Sequence, residues 1–414
     1  MILANFKRHN FFPMKPFLPF IACLLPFMSS ANNPQGIADG NTRFAFKLFN
    51  QVQGSTKSEN QFYSPFSIST ALAMVYAGAR NETALQMSHA MNFQPNDHFH
   101  AEYKHLLDKL PEGADGKIKL NIANGIWVQK EFKVLDTYFD VVRSKYNSEL
   151  KNVDFTNNTA RETSRMDINA WVERKTNDKI KNIIKQGDLT ALTRLVLVNA
   201  IYFHGDWATP FKKELTKAKG FSLVEGTKDR VPFMNRQGRY NYFEDGKIQA
   251  IEIPYQDNKA SLVILLPLTV KGISEFGKSF DYQYYQDMIE SLQFDEVRLS
   301  LPKFKIDFHL ELGSTLSQMG MPLAFSPDGA DFSGMTGKRD LFISKVIHQA
   351  FIKVDETGTE AAAATAVVMD LAMAPQTSQP KVFNADHPFV FLIKDNLTGS
   401  ILFMGTIMKP GVSK

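Results

Sequence analysis

Apolar positions along the chain change period several times, and each change marks an element. Over residues 41–52, Phe44, Phe46, Leu48 and Phe49 fall mostly on one side of a helix. At Ser64-Pro65 a capping hydroxyl precedes a proline at the first helical position. Ile68, Ala71, Leu72, Val75, Tyr76 and Ala79 then recur at three- and four-residue spacing, which predicts a helix with a buried face. Residues 87–110 read as a helical region, 169–184 as an amphipathic helix and 310–319 as a further helix.

Between these lie strand patterns. Ile118, Leu120 and Ile122 alternate, as do Val297, Leu299 and Leu301. Lys303 continues the second register beyond Pro302, so its ammonium needs a partner. Residues 195–203, Leu-Val-Leu-Val-Asn-Ala-Ile-Tyr-Phe, are apolar almost without interruption and predict a central strand buried on both faces. Asn199 in their middle becomes a buried amide, which is costly unless hydrogen-bonded. Residues 231–267 supply several strands, 261–267 the clearest. His348, Ala350, Ile352 and Val354 alternate into Glu356.

Residues 356–375 fit neither pattern alone. Ala361, Ala362, Ala363 and Ala364 favour helix, Val367 and Val368 favour strand, and Pro375 closes the segment to either. Parity is more telling. Thr359, Ala361, Ala363, Thr365, Val367 and Met369 carry no charge, while Glu360 and Asp370 fall in the other register. As a strand, one face is small and apolar while both acids point away. Gly358 just before is a natural pivot. The competing reading is an exposed Ala-rich helix or a linker.

Composition adds a leader and removes several function classes. Lys7, Arg8 and Lys15 precede an apolar run over residues 17–28, and Ser29-Ser30-Ala31 ends it with small residues. Residues 1–31 read as a signal peptide, with Met14 a second candidate start, leaving 32–414 as a single domain. The run is too short for an ordinary membrane span and contains Pro19 and Pro26. Secretion is expected, to the outside or, for a Gram-negative source, the periplasm. Loss of the leader removes three positive charges and no negative ones, taking the formal charge from +4 to +1. No Lys/Arg stripe for nucleic acid remains. The one cysteine, Cys23, lies in the leader, which excludes a disulfide, a cysteine nucleophile and a thiolate metal site from the mature chain. His98, Glu102 and His105 can share a helix face, but their spacing matches no tight zinc motif, and no metal or other cofactor is expected. A hydrolase fails for want of a Gly-x-Ser-x-Gly elbow.

Glu-x-Gly-Thr-Glu-Ala-Ala-Ala-Ala-Thr from Glu356 resembles the reactive-loop hinge of the serpins, suicide inhibitors of serine proteases. Asn-x-Phe-x-Ser-Pro-x-Ser-Ile from Asn60, Leu-Val-Asn-Ala-Ile-Tyr-Phe-x-Gly-x-Trp ending at Trp207, and 383–393 resemble other segments of that family. The resemblance spans residues 41–409. It implies a single α+β domain with three β-sheets, about eight or nine helices and an exposed reactive loop at about 356–380. It implies a hinge at Glu356, Gly358, Thr359, Glu360, Ala361, Ala362, Ala363, Ala364 and Thr365. Trp207, Lys303 and Glu356 take the place of the family's breach, with Lys303 paired to Glu356. Ser64, Ser67, Asn199 and His348 take the place of its shutter, where His348 is structural; taken alone, the two serines read as helix caps. Counting sixteen places from Glu356, as in most inhibitory relatives, puts the reactive bond at Ala372–Met373. A one-residue shift presents Leu371 or Met373 instead. Alanine at the cut suits an elastase-like protease, Leu371 or Met373 a chymotrypsin-like one. The implied function is a non-enzymatic, monomeric inhibitor that traps its protease as an acyl-enzyme while the loop enters the main sheet. Alternatives are a non-inhibitory carrier or chaperone and an inhibitor of cathepsin-type cysteine proteases. The segment matching the helix that binds heparin in some relatives carries only Lys104 and Lys109, so no heparin site is expected.

Overall fold

Strand Leu195–Asp206 organises the molecule because it is apolar on both faces. Its alternate residues enter two different cores. Leu195, Leu197, Ile201 and Phe203 face the larger one, whereas Val196, Val198, Ala200 and Tyr202 face a smaller one with Trp127, Trp171 and Val172. The computed structural model describes residues 34–55, 59–110, 117–359 and 379–411. The leader expected at 1–31 lies outside the described residues. So do Glu360, Ala361, Ala362, Ala363, Ala364, Thr365, Leu371, Ala372 and Met373.

The helices are α1 (Pro34–Ser55), α2 (Pro65–Tyr76), α3 (Asn81–Met91), α4 (Phe99–Leu107), α5 (Asp136–Tyr146), α6 (Asn158–Lys175), α7 (Gly272–Ser279), α8 (Tyr282–Glu290) and the short α9 (Gly313–Gln318) and α10 (Ser333–Thr336). The first seven strands are β1 (Gln61–Tyr63), β2 (Ile118–Gln129), β3 (Glu149–Val153), β4 (Leu195–Asp206), β5 (Lys217–Ser222), β6 (Lys228–Glu244) and β7 (Ile248–Pro254). The rest are β8 (Ala260–Pro267), β9 (Gln293–Pro302), β10 (Phe304–Glu311), β11 (Lys345–Val354), β12 (Gly358–Thr359), β13 (Lys381–Asn384), β14 (Phe389–Asp395) and β15 (Ile401–Ile407).

These strands make two hydrogen-bonded sheets among the described residues. One runs β10-β11-β12-β4-β2-β3; the other runs β1-β15-β14-β8-β7-β6-β9-β13, with β5 on β6. The resemblance implied three. The second and third are joined because β6 is 17 residues long. It pairs with β5 over its first part, with β9 from Phe233 to Tyr242 and with β7 from Asn241 to Glu244. Helix α2 is wedged between the two sheets, against β4 and β15, and is buried from Pro65 to Val75. That accounts for its apolar character all round.

Two expected helices need correction. The helical region 87–110 comprises the end of α3 and all of α4, divided where Asn92 turns left-handed at φ 52° and closes α3. The helix expected at 169–184 stops at Lys175, since Asn177 and Asp178 adopt φ 51° and 59°. Leu310 belongs to β10, paired with His348, and the helix expected from it begins only at Gly313. No helix among the described residues is long and apolar enough to cross a membrane.

Candidate functional site: a seam between two strands

Strands β4 and β11 lie parallel, in register from Lys345↔Val196 to Phe351↔Tyr202. Beyond that the seam opens, and β12 sits between them, antiparallel to both, with Gly358 opposite Asp206 and Thr359 opposite Gly205 and Val354. The chain reverses at Asp355, whose Oδ1 accepts from the Thr357 N–H at 3.0 Å and its hydroxyl at 2.7 Å. Only glycine fits at 358, because a Cβ there would lie 2.1 Å from the Gly205 carbonyl oxygen. Thr359 is fully buried, as its register predicts, and its hydroxyl meets that of Tyr255 at 2.7 Å.

Around this entry point the expected breach residues come together. Trp207 donates through Nε1 to the Asp355 carbonyl at 2.9 Å and through its backbone N–H to that of Thr357 at 3.0 Å. Its ring stacks on Tyr255, with centroids 4.7 Å apart. Lys303 Nζ lies 2.7 Å from Glu356 Oε2, and Thr216 donates to Glu356 Oε1 at 2.9 Å. Burial pushes the Glu356 carboxyl up, but the bonds from Lys303, its own N–H and Thr216 outweigh this and hold it below the usual carboxylate range. Asp355 is lowered likewise, burial being outweighed by Thr357 and Lys353.

Midway along the seam the four expected shutter residues also meet. His348 and Asn199 are directly opposite each other, both facing α2. His348 Nε2 accepts from the Ser64 N–H at 3.1 Å, which leaves Nδ1 as the protonated nitrogen donating to Asn199 Oδ1. The Asn199 amide donates to the Ser67 carbonyl at 3.2 Å and to Asn124 Oδ1. Ser64 caps α2 by accepting from the Ser67 N–H at 3.0 Å and donates to the Leu402 carbonyl at 2.6 Å. Capping and seam contacts therefore coexist in the same serine. Complete burial, with His309 nearby, lowers the His348 pKa to about 3, so the ring is neutral.

Sequence reasoning missed Asn124, Tyr255, Thr216 and Asp355. Asn124 had a signal, being the next residue in the alternation Ile118, Leu120, Ile122 and lying opposite Asn199. Tyr255 had one too, continuing the alternation of Ile251 and Ile253 at the end of β7, whereas Thr216 and Asp355 carried none. His98, by contrast, precedes α4, and Glu102 accepts from Asn96 Nδ2 at 3.3 Å. Among the described residues no three His, Cys, Asp or Glu side chains group to hold a metal ion.

Residues 39–410 match the family model described as Serpin (serine protease inhibitor). The chain belongs to the serpin family. This serpin is 39% identical over 383 residues to the leukocyte elastase inhibitor of Homo sapiens, covering 90% of this chain and 99% of that one. Among solved structures it resembles tengpin, a thermophilic serpin in the native state, with a TM-score of 0.83 and 32% identity over 92% of this chain and 96% of that one. It also resembles human thyroxine-binding globulin complexed with thyroxine, with a TM-score of 0.82 and 29% identity over 92% of this chain and all of the other.

Proposed function

We propose that this serpin is a secreted inhibitor of elastase- or chymotrypsin-like serine proteases that works by strand insertion along the β4–β11 seam. The observation that carries the reading is β12. The base of the loop is already seated between the two strands, with its small side chain inward. The residues that follow in the sequence, Ala361, Ala363 and Thr365, keep that face small.

The protease serine attacks the Ala372 carbonyl carbon. The bond to Met373 breaks, its nitrogen leaves protonated, and the serine ester of Ala372 remains. Severed, the loop continues β12 down the seam and takes the bound protease with it. Each added ladder hydrogen bond contributes about 1 kcal/mol net, against about 1–2 kcal/mol for ordering each backbone residue. Burial of Val367, Met369 and the small side chains, at about 25 cal/mol per Å², supplies the surplus. A charged or bulky inward residue would erase it. The uncut protein is then held by a kinetic barrier at the seam.

Incubation with an elastase-like protease tests the reading. A covalent complex that survives boiling in SDS is expected. Clean turnover to a clipped product would instead favour a carrier, which the likeness to thyroxine-binding globulin keeps in view.

A further inference from the structure

β12 pairs Thr359 with Gly205 on one side and with Val354 on the other. Antiparallel pairing carried one residue further sets position 360 between His204 on β4 and Lys353 on β11. Thr359 is fully buried and turned towards Tyr255. The period of two therefore turns position 360 to the opposite face, the one that carries the side chains of His204 and Lys353.

That row of the sheet is basic from β2 to β10. Lys119 lies opposite His204, and Lys305 lies opposite Lys353. Lys305 rests 5.3 Å over the Phe351 ring. The adjoining row, towards the breach, is acidic. There Asp206 lies opposite Gly358, and the Asp355 N–H donates to the Gly358 carbonyl at 2.9 Å. Gly358 puts no side chain between these two acids. Each acid leans towards the basic row, Asp206 Oδ1 lying 3.7 Å from His204 Nε2 and Asp355 Oδ2 lying 3.1 Å from Lys353 Nζ. Like charges on adjacent strands repel, and opposite charges attract. A carboxylate at position 360 would sit in the middle of the basic row, with a strand about 4.8 Å away on either side.

We propose that Lys353, with His204 facing it across the seam, is a docking point for an acidic side chain, and that its occupant is Glu360, the next residue of the chain. Lys353 is then a positioning residue for strand entry, because Glu360 makes the first step beyond β12. The arrangement also guards the register. A slip of one residue would turn Glu360 into the core. A slip of two would set it between Asp206 and Asp355 in one direction, and between Tyr202 and Phe351 in the other. The assignment rests on the proposed insertion of the loop between β4 and β11.

A double-variant cycle on the full chain tests the docking, read as the second-order rate of covalent complex formation with an elastase-like protease at low salt. Glu360→Gln and Lys353→Gln are each expected to slow trapping about threefold. The double variant should be no slower than the slower single one. Lys353→Arg keeps the charge and should keep the wild-type rate, which separates docking from a general loosening around Asp355. High salt should close the differences, since the Lys353 side chain is 40% exposed. Additive losses, or a Lys353→Arg variant as slow as Lys353→Gln, overturn the docking and leave inhibition standing. A wild type that forms no covalent complex defeats the proposed function, and the docking falls with it. Inorganic phosphate probes the rival occupant. If it raises the thermal midpoint of the uncut protein alike in wild type and Glu360→Gln, but not in Lys353→Gln, the basic row holds a free anion and the assignment to Glu360 is overturned.

Discussion

The breach and the shutter hold one seam by opposite chemistry. At the breach, an ion pair between a part-exposed lysine and Glu356 sits beside a stacked Trp207–Tyr255 pair, and the neighbouring backbone groups belong to the loop base itself. At the shutter no group is charged, every partner is buried, and the contacts run from β4 and β11 down to α2 and β15. Charge is tolerable at the breach because solvent still reaches Lys303, 30% exposed at its side chain. Fully buried His348 has no such relief, so burial keeps it neutral. The breach therefore holds β12 where it sits between β4 and β11. The shutter holds β4 and β11 to each other and to α2.

That division predicts where a substitution hurts most. Thr359→Arg places a guanidinium at a fully buried inward position, a penalty of several kcal/mol. β12 should leave the seam, and the protein should turn from inhibitor to substrate, with the stoichiometry of inhibition rising at least tenfold. Full trapping by this variant would show that Thr359 does not face inward during inhibition. Next comes Asn199→Leu, which orphans the His348 Nδ1–H and Asn124 Oδ1. At about 1–3 kcal/mol for each orphaned group, the urea midpoint of the uncut protein should fall sharply. A midpoint within error of wild type would show that the network does not hold the seam.

Acid separates the two regions more gently. His348 titrates near 6.5 when unfolded and at about 3 when folded. Between those values the unfolded chain binds more protons, so stability rises with pH and is lost on acidification, by about 1.4 kcal/mol per pH unit. His100, lowered to about 4 by burial and by Lys145 and Arg80, adds a second such slope. The folded pKa of Glu356 is depressed, so its contribution is complete above its unfolded value of about 4.3 and fails only below it. Unfolding free energies at pH 6.5 and 4.5 should thus show a slope that His348→Asn roughly halves and Glu356→Gln leaves alone. If Glu356→Gln flattens that slope, the division between a charged breach and a neutral shutter is wrong.

How far this was legible in the sequence follows the same boundary. Asn199, His348 and Thr359 are polar or small residues within apolar alternations, so a period-two reading exposes them and gives their facing. Lys303 was legible as a cation continuing a buried register. Thr216 reaches Glu356 from a turn that follows no period, and only the folded chain brings it there. The helices misjudged at 169–184 and 310–319 failed for a related reason. Left-handed Asn177 and Asp178 end one, and pairing of Leu310 with His348 claims the start of the other for a strand. Local periodicity carries no record of either constraint.

Tyr255→Phe is the finest probe of the breach, because it removes one atom and leaves the packing. The ring keeps its stack on Trp207 and its edge-on contact with Phe203, centroids 5.1 Å apart. Only the 2.7 Å hydroxyl contact with Thr359 is lost. A buried hydrogen bond of this kind is worth about 1 kcal/mol, or about fivefold in an equilibrium. If that bond holds β12 in the seam, amide hydrogen exchange over residues 357–359 should quicken by about fivefold, while exchange along the β4–β11 ladder below stays unchanged. If exchange at 357–359 does not move, the backbone pairing of Gly358 and Thr359 suffices to seat the loop base. The aromatic pair would then act on Asp355 and Thr357 through Trp207 alone. Quickening along the whole ladder would carry the opposite lesson, that breach and shutter open as one unit and the seam has a single lock.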